Sequence, residues 1–246
     1  MTQLVGILNI TPDSFSDGGQ FFAPAAAIEQ AKKLFNDGAA LVDVGAESTR
    51  PGATAVSPQE EWSRLKTVLP ELVRLFPGKI SLDTHHPETA EKALQLGDVI
   101  INDVTGMNNP AMVDVVARHK ARCIVSHLPG ADVQAAHAQN PVDSQQTIID
   151  DLTKKVDQLT NKGVPASNII VDPGIGFGKT PELNQKLLHF AAAMPGYKVM
   201  VGYSRKRFLG EHRMDLQPNL AAGKIAITSG AAYIRVHDVA GHAHLV

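Results

Sequence analysis

Cysteine is almost missing from this chain. Cys123 is the only one among 246 residues, so no intrachain disulfide can form. It lies in the apolar run Cys123-Ile124-Val125 and reads as a buried, inert thiol. No His and Cys residues have the spacing of a zinc site. An excess of charge of one sign is missing too. The 23 basic and 25 acidic residues leave a formal charge of -2, which gives no general pull toward nucleic acid or an anionic membrane. Any bound anion must therefore be held by a local cluster. No hydrophobic run approaches the ~18 residues of a spanning helix, and Met1-Thr2-Gln3-Leu4 lacks the basic, apolar start of a signal peptide. A soluble, reducing, cytoplasmic setting is the expectation. No linker, compositional break or low-complexity tract divides the chain, so residues 1–246 read as a single domain, and 43% hydrophobic content is enough for a substantial core. Nucleophile elbow, Ser–His–Asp set, P-loop and dinucleotide fingerprint are all absent. Chemistry here should rest on positioning and charge rather than on a covalent intermediate.

What is present is an alternation of short apolar runs with longer amphipathic ones. Strands are expected at Leu4–Ile10, Leu41–Ala46, Ile80–Leu82, Val99–Ile101, the run at Cys123, Ile169–Val171, Val199–Gly202 and Tyr233–Val236. Helices are expected at Ala25–Asn36, where Gly38 caps the end, and at Pro87–Leu96, Pro110–His119, Thr147–Asn161, Pro181–Ala192 and Leu220–Ser229. Ser57-Pro58-Gln59-Glu60 has capping-box spacing and opens the stripe Trp62, Leu65, Leu69, Leu72 and Phe76, a core face that Pro70 kinks or divides. Eight strands and at least seven helices fit an α/β (β/α)8 TIM barrel better than an open sheet. Too few residues follow Val239 for a full closing helix, so a short or missing final helix is expected. A partner subunit, as in a homodimer, is one candidate to cover that face.

The unusual polar clusters fall at the carboxyl ends of these strands, which form one rim in such a barrel. Ser204-Arg205-Lys206 after the seventh strand, with Arg235 and His237 on the eighth, suits an anion. Arg235 and His237 alternate across Val236 and so face one side. For Arg205 and Arg207 a surface role and an anion contact are both open. Asp83, Asn102 and Asp172 end apolar runs and suit the N–H edge of a planar heterocycle. Asp172 sits in Asp-Pro-Gly-Ile-Gly-Phe-Gly-Lys, whose glycines let backbone approach a flat ligand while Phe177 supplies a wall. Asp103 is read as a cap for the following helix. Asn9 could offer a neutral oxygen to Mg2+ bridging phosphates. His85, His86, His242 and His244 are read as solvent-exposed.

These motifs resemble the bacterial dihydropteroate synthase family. Asn9-Ile10-Thr11-Pro12-Asp13-Ser14-Phe15-Ser16-Asp17-Gly18-Gly19 is similar to its opening signature, and Gly45-Ala46-Glu47-Ser48-Thr49-Arg50-Pro51-Gly52 to its second. Asp172 to Lys179, Ser204-Arg205-Lys206 and Arg235-Val236-His237-Asp238-Val239 follow in order, so the likeness spans essentially the whole chain. It implies a (β/α)8 barrel that joins 6-hydroxymethyl-7,8-dihydropterin diphosphate to p-aminobenzoate in folate synthesis. By the resemblance, Asp83, Asn102, Asp172, Phe177, Gly202 and Lys206 would hold the pterin. Asn9, Arg235 and His237 would hold the diphosphate, with Mg2+ at Asn9. Phe15, Thr49, Arg50 and Ser204 would border the aminobenzoate. Asp83, Lys206, Arg235 and His237 would be the catalytic set.

Three stretches depart from the family pattern. Ser126-His127 stands where Met-His is usual, Asp132, Ala135 and Ala136 replace the motif that follows, and Gly210–Leu220 is short. Two rival expectations accompany the synthase: a non-catalytic pterin-binding paralogue, and a pterin-dependent methyltransferase domain, which would have no use for Thr11–Gly19 or Ser48–Gly52.

Overall fold

The computed structural model of the chain describes residues 1–10, 24–47, 55–130, 132–138 and 140–246. Its strands are β1 (Gln3–Asn9), β2 (Leu41–Gly45), β3 (Ile80–Asp83), β4 (Val99–Asp103), β5 (Cys123–Ser126), β6 (Ile169–Asp172), β7 (Lys198–Val201) and β8 (Tyr233–Val236). All eight run parallel in chain order and close on themselves, β8 pairing with β1 through Val5 opposite Arg235. The expected barrel is the one observed.

The helices are α1 (Pro24–Asn36), α2 (Pro58–Leu65), α3 (Leu69–Leu75), α4 (Pro87–Leu94), α5 (Pro110–His119), α6 (Val133–Ala138), α7 (Gln145–Asn161), α8 (Pro181–Lys186), α9 (Phe190–Ala193), α10 (Leu216–Thr228) and α11 (Val239–His242). Gly38 ends α1 at φ +107, a backbone angle that disfavours a side chain, and its N–H returns to Phe35 O at 3.0 Å. Ser57 caps α2 by accepting from the Glu60 N–H. Pro70 divides the long stripe: it lies in the first turn of α3, where a missing N–H costs nothing. Leu65, Leu69 and Leu72 are buried against the barrel, and Phe76 stacks on Phe35 with ring centroids 4.1 Å apart.

Three expectations on helices need correction. Pro181–Ala192 is not continuous, because a 3-10 turn at Leu187–His189 separates α8 from α9 and buries Leu187, Leu188 and Phe190 together. Helix α10 begins four residues before Leu220, with Pro218 in its first turn. Helix α6 was not expected at all; Asp132 starts it by accepting from the Ala135 N–H at 2.8 Å. The final helix is short, four residues of α11 followed by a 3-10 turn at Ala243–Leu245.

Two apolar clusters result. The larger lies between strands and helices. The smaller fills the barrel's lower interior with Val5, Leu41, Ile100, Ile124, Ile170 and Met200, and Tyr233 packs against it. Because side chains alternate along a strand, the next inward position toward the carboxyl end lies two residues on. Those positions are Ile7, Asp43, Asn102, Ser126, Asp172, Gly202 and Arg235. On five of these seven strands the interior thus changes from apolar to polar within one step, Ile7 and Gly202 being the exceptions.

Candidate active site at the carboxyl rim of the barrel

Strand register sets the polar rim. Asn9 pairs with Gly45, Gly45 with Asp83, and Asp83 with Asn102, so four neighbouring strands end at one level. Across β5 and β6, Ser126 pairs with Asp172. Two glycines mark where side chains converge. A Cβ placed on Gly45 would lie 3.8 Å from Asp83 Oδ2 and 3.9 Å from Asn9 Oδ1. One on Gly202 would lie 3.7 Å from Asp172 Oδ2, 3.8 Å from Arg235 Cβ and 3.9 Å from Lys206 Nζ. Any larger residue there would fill the floor of the site.

Arg235 ties β8 to β2 and β3. Its Nε donates to Asp43 Oδ2 at 2.6 Å and an Nη to Asp83 Oδ2 at 3.1 Å. Asn102 Nδ2 donates to the same Asp43 oxygen at 3.0 Å. Asp43 is fully buried, so it is a hub of charge held inside the barrel. Burial opposes the charge on Arg235, but Asp43 and Asp83 outweigh that and raise its pKa. Burial, reinforced by the charge of Asp43, pushes the Asp83 carboxyl up to about 7, although Arg235 pulls the other way.

The second half of the site is the glycine-rich loop after β6. Asp172 Oδ1 accepts from the Gly174 N–H at 2.7 Å, which fixes the carboxylate and leaves Oδ2 turned toward Gly202. Burial raises the Asp172 pKa, and the neighbouring Lys206 ammonium counters it. Lys206 donates to Ile175 O and lies 5.0 Å from the Phe177 ring centroid. Burial pushes its pKa down to about 8, with Asp172 holding it up. Lys179 is tucked beneath, donating to the carbonyls of Gly174, Phe177 and His127 at 2.8, 3.0 and 3.2 Å, its pKa lowered to about 7 by burial and by Lys206. It staples this loop to the end of β5. At Gly174 a Cβ would come within 2.0 Å of His127 O, so that approach requires glycine.

His237 stands at the same rim beside Ser204, with Nδ1 at 3.0 Å from the hydroxyl and its N–H at 3.3 Å. The rim gathers Asn9, Asp83, Asn102, Asp172, Phe177, Gly202, Ser204, Lys206, Arg235 and His237. Phe15, Thr49 and Arg50 lie outside the described residues. Arg205 and Arg207 are both exposed. Asp103 does not cap α5, a task performed by Asn109. Its carboxylate instead closes the turn below, accepting from the backbone of Thr105 and Met107. Cys123 is buried, with its thiol pushed up to about 12.

Of the histidines read as exposed, only His244 is. His242 is fully buried, with Nδ1 2.6 Å from Asp238 O. His85 and His86 are half-buried against Glu47. Sequence reasoning also missed Asp43 and Lys179. The signal for Asp43 was there: a carboxylate inside the apolar run Leu41–Ala46, two residues before Gly45 and so facing the interior. Lys179 had no such signal, because its burial depends on how two loops fold over it.

The profile of the pterin binding enzyme family matches residues 5–237. The dihydropteroate synthase of Bacillus subtilis is 38% identical over 97% of this chain and 84% of its own length. The chain belongs to the dihydropteroate synthase family. A probable bifunctional folylpolyglutamate synthase/dihydropteroate synthase of Haloferax volcanii is 40% identical over 97% of this chain, which spans only 29% of that longer protein. Among solved dihydropteroate synthases, the Anaplasma phagocytophilum structure with bound 6-hydroxymethylpterin-monophosphate superposes with a TM-score of 0.88. It is 38% identical and is covered over 99% of this chain and 96% of that one. The Xanthomonas albilineans enzyme with 4-aminobenzoic acid gives 0.89 at 35% identity, over 99% and 90%. In this member of the family the polar end of the barrel has Asp43 and Arg235 at its centre. No helix among the described residues is long and apolar enough to cross a membrane.

Proposed function

We infer that the chain condenses 6-hydroxymethyl-7,8-dihydropterin diphosphate with p-aminobenzoate, giving 7,8-dihydropteroate and diphosphate. The observation that carries this reading is the continuous chain of contacts from Asn102 through Asp43 and Arg235 to Asp83. Asp172 and Lys206 converge on Gly202 beside it. A planar ring with adjacent ring and exocyclic N–H groups suits a fixed carboxylate with one open oxygen, and Asp172 is such a group. Asn102 and Lys206 border the same slot, and Phe177 walls it.

The bond between the pterin methylene and the diphosphate oxygen breaks, and its electron pair leaves with the diphosphate. Arg235 and His237 stabilise the charge that grows there. The methylene becomes cationic, and the Asp83 carboxylate faces that charge. The arylamine nitrogen then forms the C–N bond and releases its proton to solvent or to the departing diphosphate. An arylamine is neutral at pH 7, so no strong general base is required. Asn9 presents one exposed neutral oxygen at the rim, next to Asp83. Such a donor suits Mg2+, which keeps several waters and takes its other ligands from phosphates. When bound there, Mg2+ would add charge neutralisation on the diphosphate. The aminobenzoate side of the site rests on the resemblance at Phe15, Thr49 and Arg50, with Ser204 at its border. Cytoplasmic location and a homodimer belong to the same reading.

Diphosphate release from mixed substrates tests it. With Mg2+ and both substrates, release should be continuous and should stop when p-aminobenzoate is left out. Release that ignores p-aminobenzoate, or no release at all, would leave a pterin-binding protein of another kind.

A further inference from the structure

We propose that Glu47, His85 and His86 form a three-ligand site for a borderline divalent cation, with Zn2+ the preferred occupant and a fourth position open to water. The site stands apart from the reaction proposed above, since none of the three residues is assigned there to pterin, diphosphate or aminobenzoate. Strands β2 and β3 are neighbours, with Gly45 opposite Asp83. Two residues beyond each strand end, the register brings Glu47 level with the His85-His86 pair. Glu47 Oε2 lies 3.4 Å from His86 Nε2 and 3.8 Å from His85 Nδ1. The two imidazoles are 4.1 Å apart, centroid to centroid, and one ligand atom from each residue falls within 4.8 Å of the others.

That spacing is close to what a metal needs. Zinc–ligand distances of about 2.1 Å place tetrahedral ligand atoms about 3.4 Å apart, so modest rotamer adjustment would complete the set. A second observation points to a cation. Glu47 Oε1 accepts from the Val56 N–H at 3.1 Å, but Oε2 is buried and has no hydrogen-bond partner among the described residues. The His86 ring nitrogen nearest it is 3.0 Å from Val56 O, so its proton is directed to that carbonyl. The nearest groups to this oxygen are the two imidazoles themselves, at 3.4 and 3.8 Å, so a cation seated between the three side chains would meet it directly where a histidine proton otherwise must. Side-chain exposures of 12% for Glu47, 15% for His86 and 34% for His85 give a sheltered site with one open edge, at His85. Two nitrogens and one carboxylate oxygen favour zinc over magnesium, which prefers oxygen donors. Binding requires His86 to give up its contact with Val56 O, the one local bond displaced.

The test uses the full chain, stripped with a chelator and titrated with Zn2+ by calorimetry, with Co2+ absorption as a coordination probe. The parent should bind one Zn2+ per chain, with unchanged affinity in excess Mg2+. Glu47→Gln, His85→Gln and His86→Gln should each weaken binding roughly tenfold or more. The double His85→Gln/His86→Gln variant should bind none and lose the zinc-dependent rise in Tm. Equal stoichiometry and affinity in the double variant, or displacement of zinc by Mg2+, would overturn the proposal. Should the variants fail to fold, zinc-edge X-ray absorption of the loaded parent decides: two imidazole ligands support the site and fewer overturn it.

Discussion

The lower and upper halves of the barrel interior are built from the same eight strands but carry opposite chemistry. Below, Val5, Leu41, Ile100, Ile124, Ile170 and Met200 form a dry cluster. One step above, Asp43, Asn102, Asp172 and Arg235 are buried or half-buried; Asn102 and Arg235 meet on Asp43 through charge-assisted bonds, and Asp172 is held by the Gly174 N–H. The lower layer loses water and gains dispersion contacts, so it supplies stability. The upper layer desolvates charges for little or no net stability, since buried ion pairs seldom improve on apolar packing. What it supplies is a fixed arrangement of donors and acceptors at the mouth of a rigid floor. Stability and chemistry are thus separated by a single pleat of the strands.

Substitutions can break that separation. The largest effect is expected from Arg235→Ala, which leaves Asp43 buried without its counter-charge. Stability should fall by about 3–5 kcal/mol in urea unfolding, and kcat/KM by at least ~10^2-fold. Ile100→Ala, a layer below, should cost about 2–5 kcal/mol of stability while kcat per folded molecule changes little. Asp172→Asn should do the reverse: pterin binding weakens by about 1–3 kcal/mol in a calorimetric titration, while the melting temperature changes little, because the relief of one buried charge is offset by the lost partner of Lys206.

The smallest effect concerns pH. Burial and Asp43 raise the Asp83 pKa to about 7, above its ordinary value. The stability this group contributes is therefore present at low pH and lost as pH rises through about 7. Asp83→Asn does not titrate, so its melting temperature relative to the parent should climb between pH 5 and pH 8, by the equivalent of about 1–2 kcal/mol. A flat difference would show that Asp83 is ionised throughout, as a simple ion pair with Arg235 would make it.

The barrel was legible because its signals are local and periodic: apolar runs, proline at helix starts, glycine at helix ends. The rim was legible because polar residues at strand ends must share one face once the strands are parallel. Asp43 lies inside a strand rather than at its end, and only parity along Leu41–Gly45 places it in the interior. His85, His86 and His242 were misread for another reason. Their burial is set by long-range neighbours, Glu47 and Val56 for the pair and the Tyr203 side of the barrel for His242, and no sequence period encodes these. Helix α6 is six residues long and starts at a single Asp132 cap, too short for any periodic signal.

The central claim is that one rim joins a slot for a flat ring to a cradle for its departing anion. Calorimetry with two ligands, hydroxymethylpterin with and without its diphosphate, tests it most directly on the parent, Asp172→Asn and His237→Ala. Asp172→Asn should weaken both ligands by the same factor, and His237→Ala only the one bearing diphosphate. If His237→Ala weakens both equally, or Asp172→Asn spares the bare ring, the slot and the cradle are not where the account puts them.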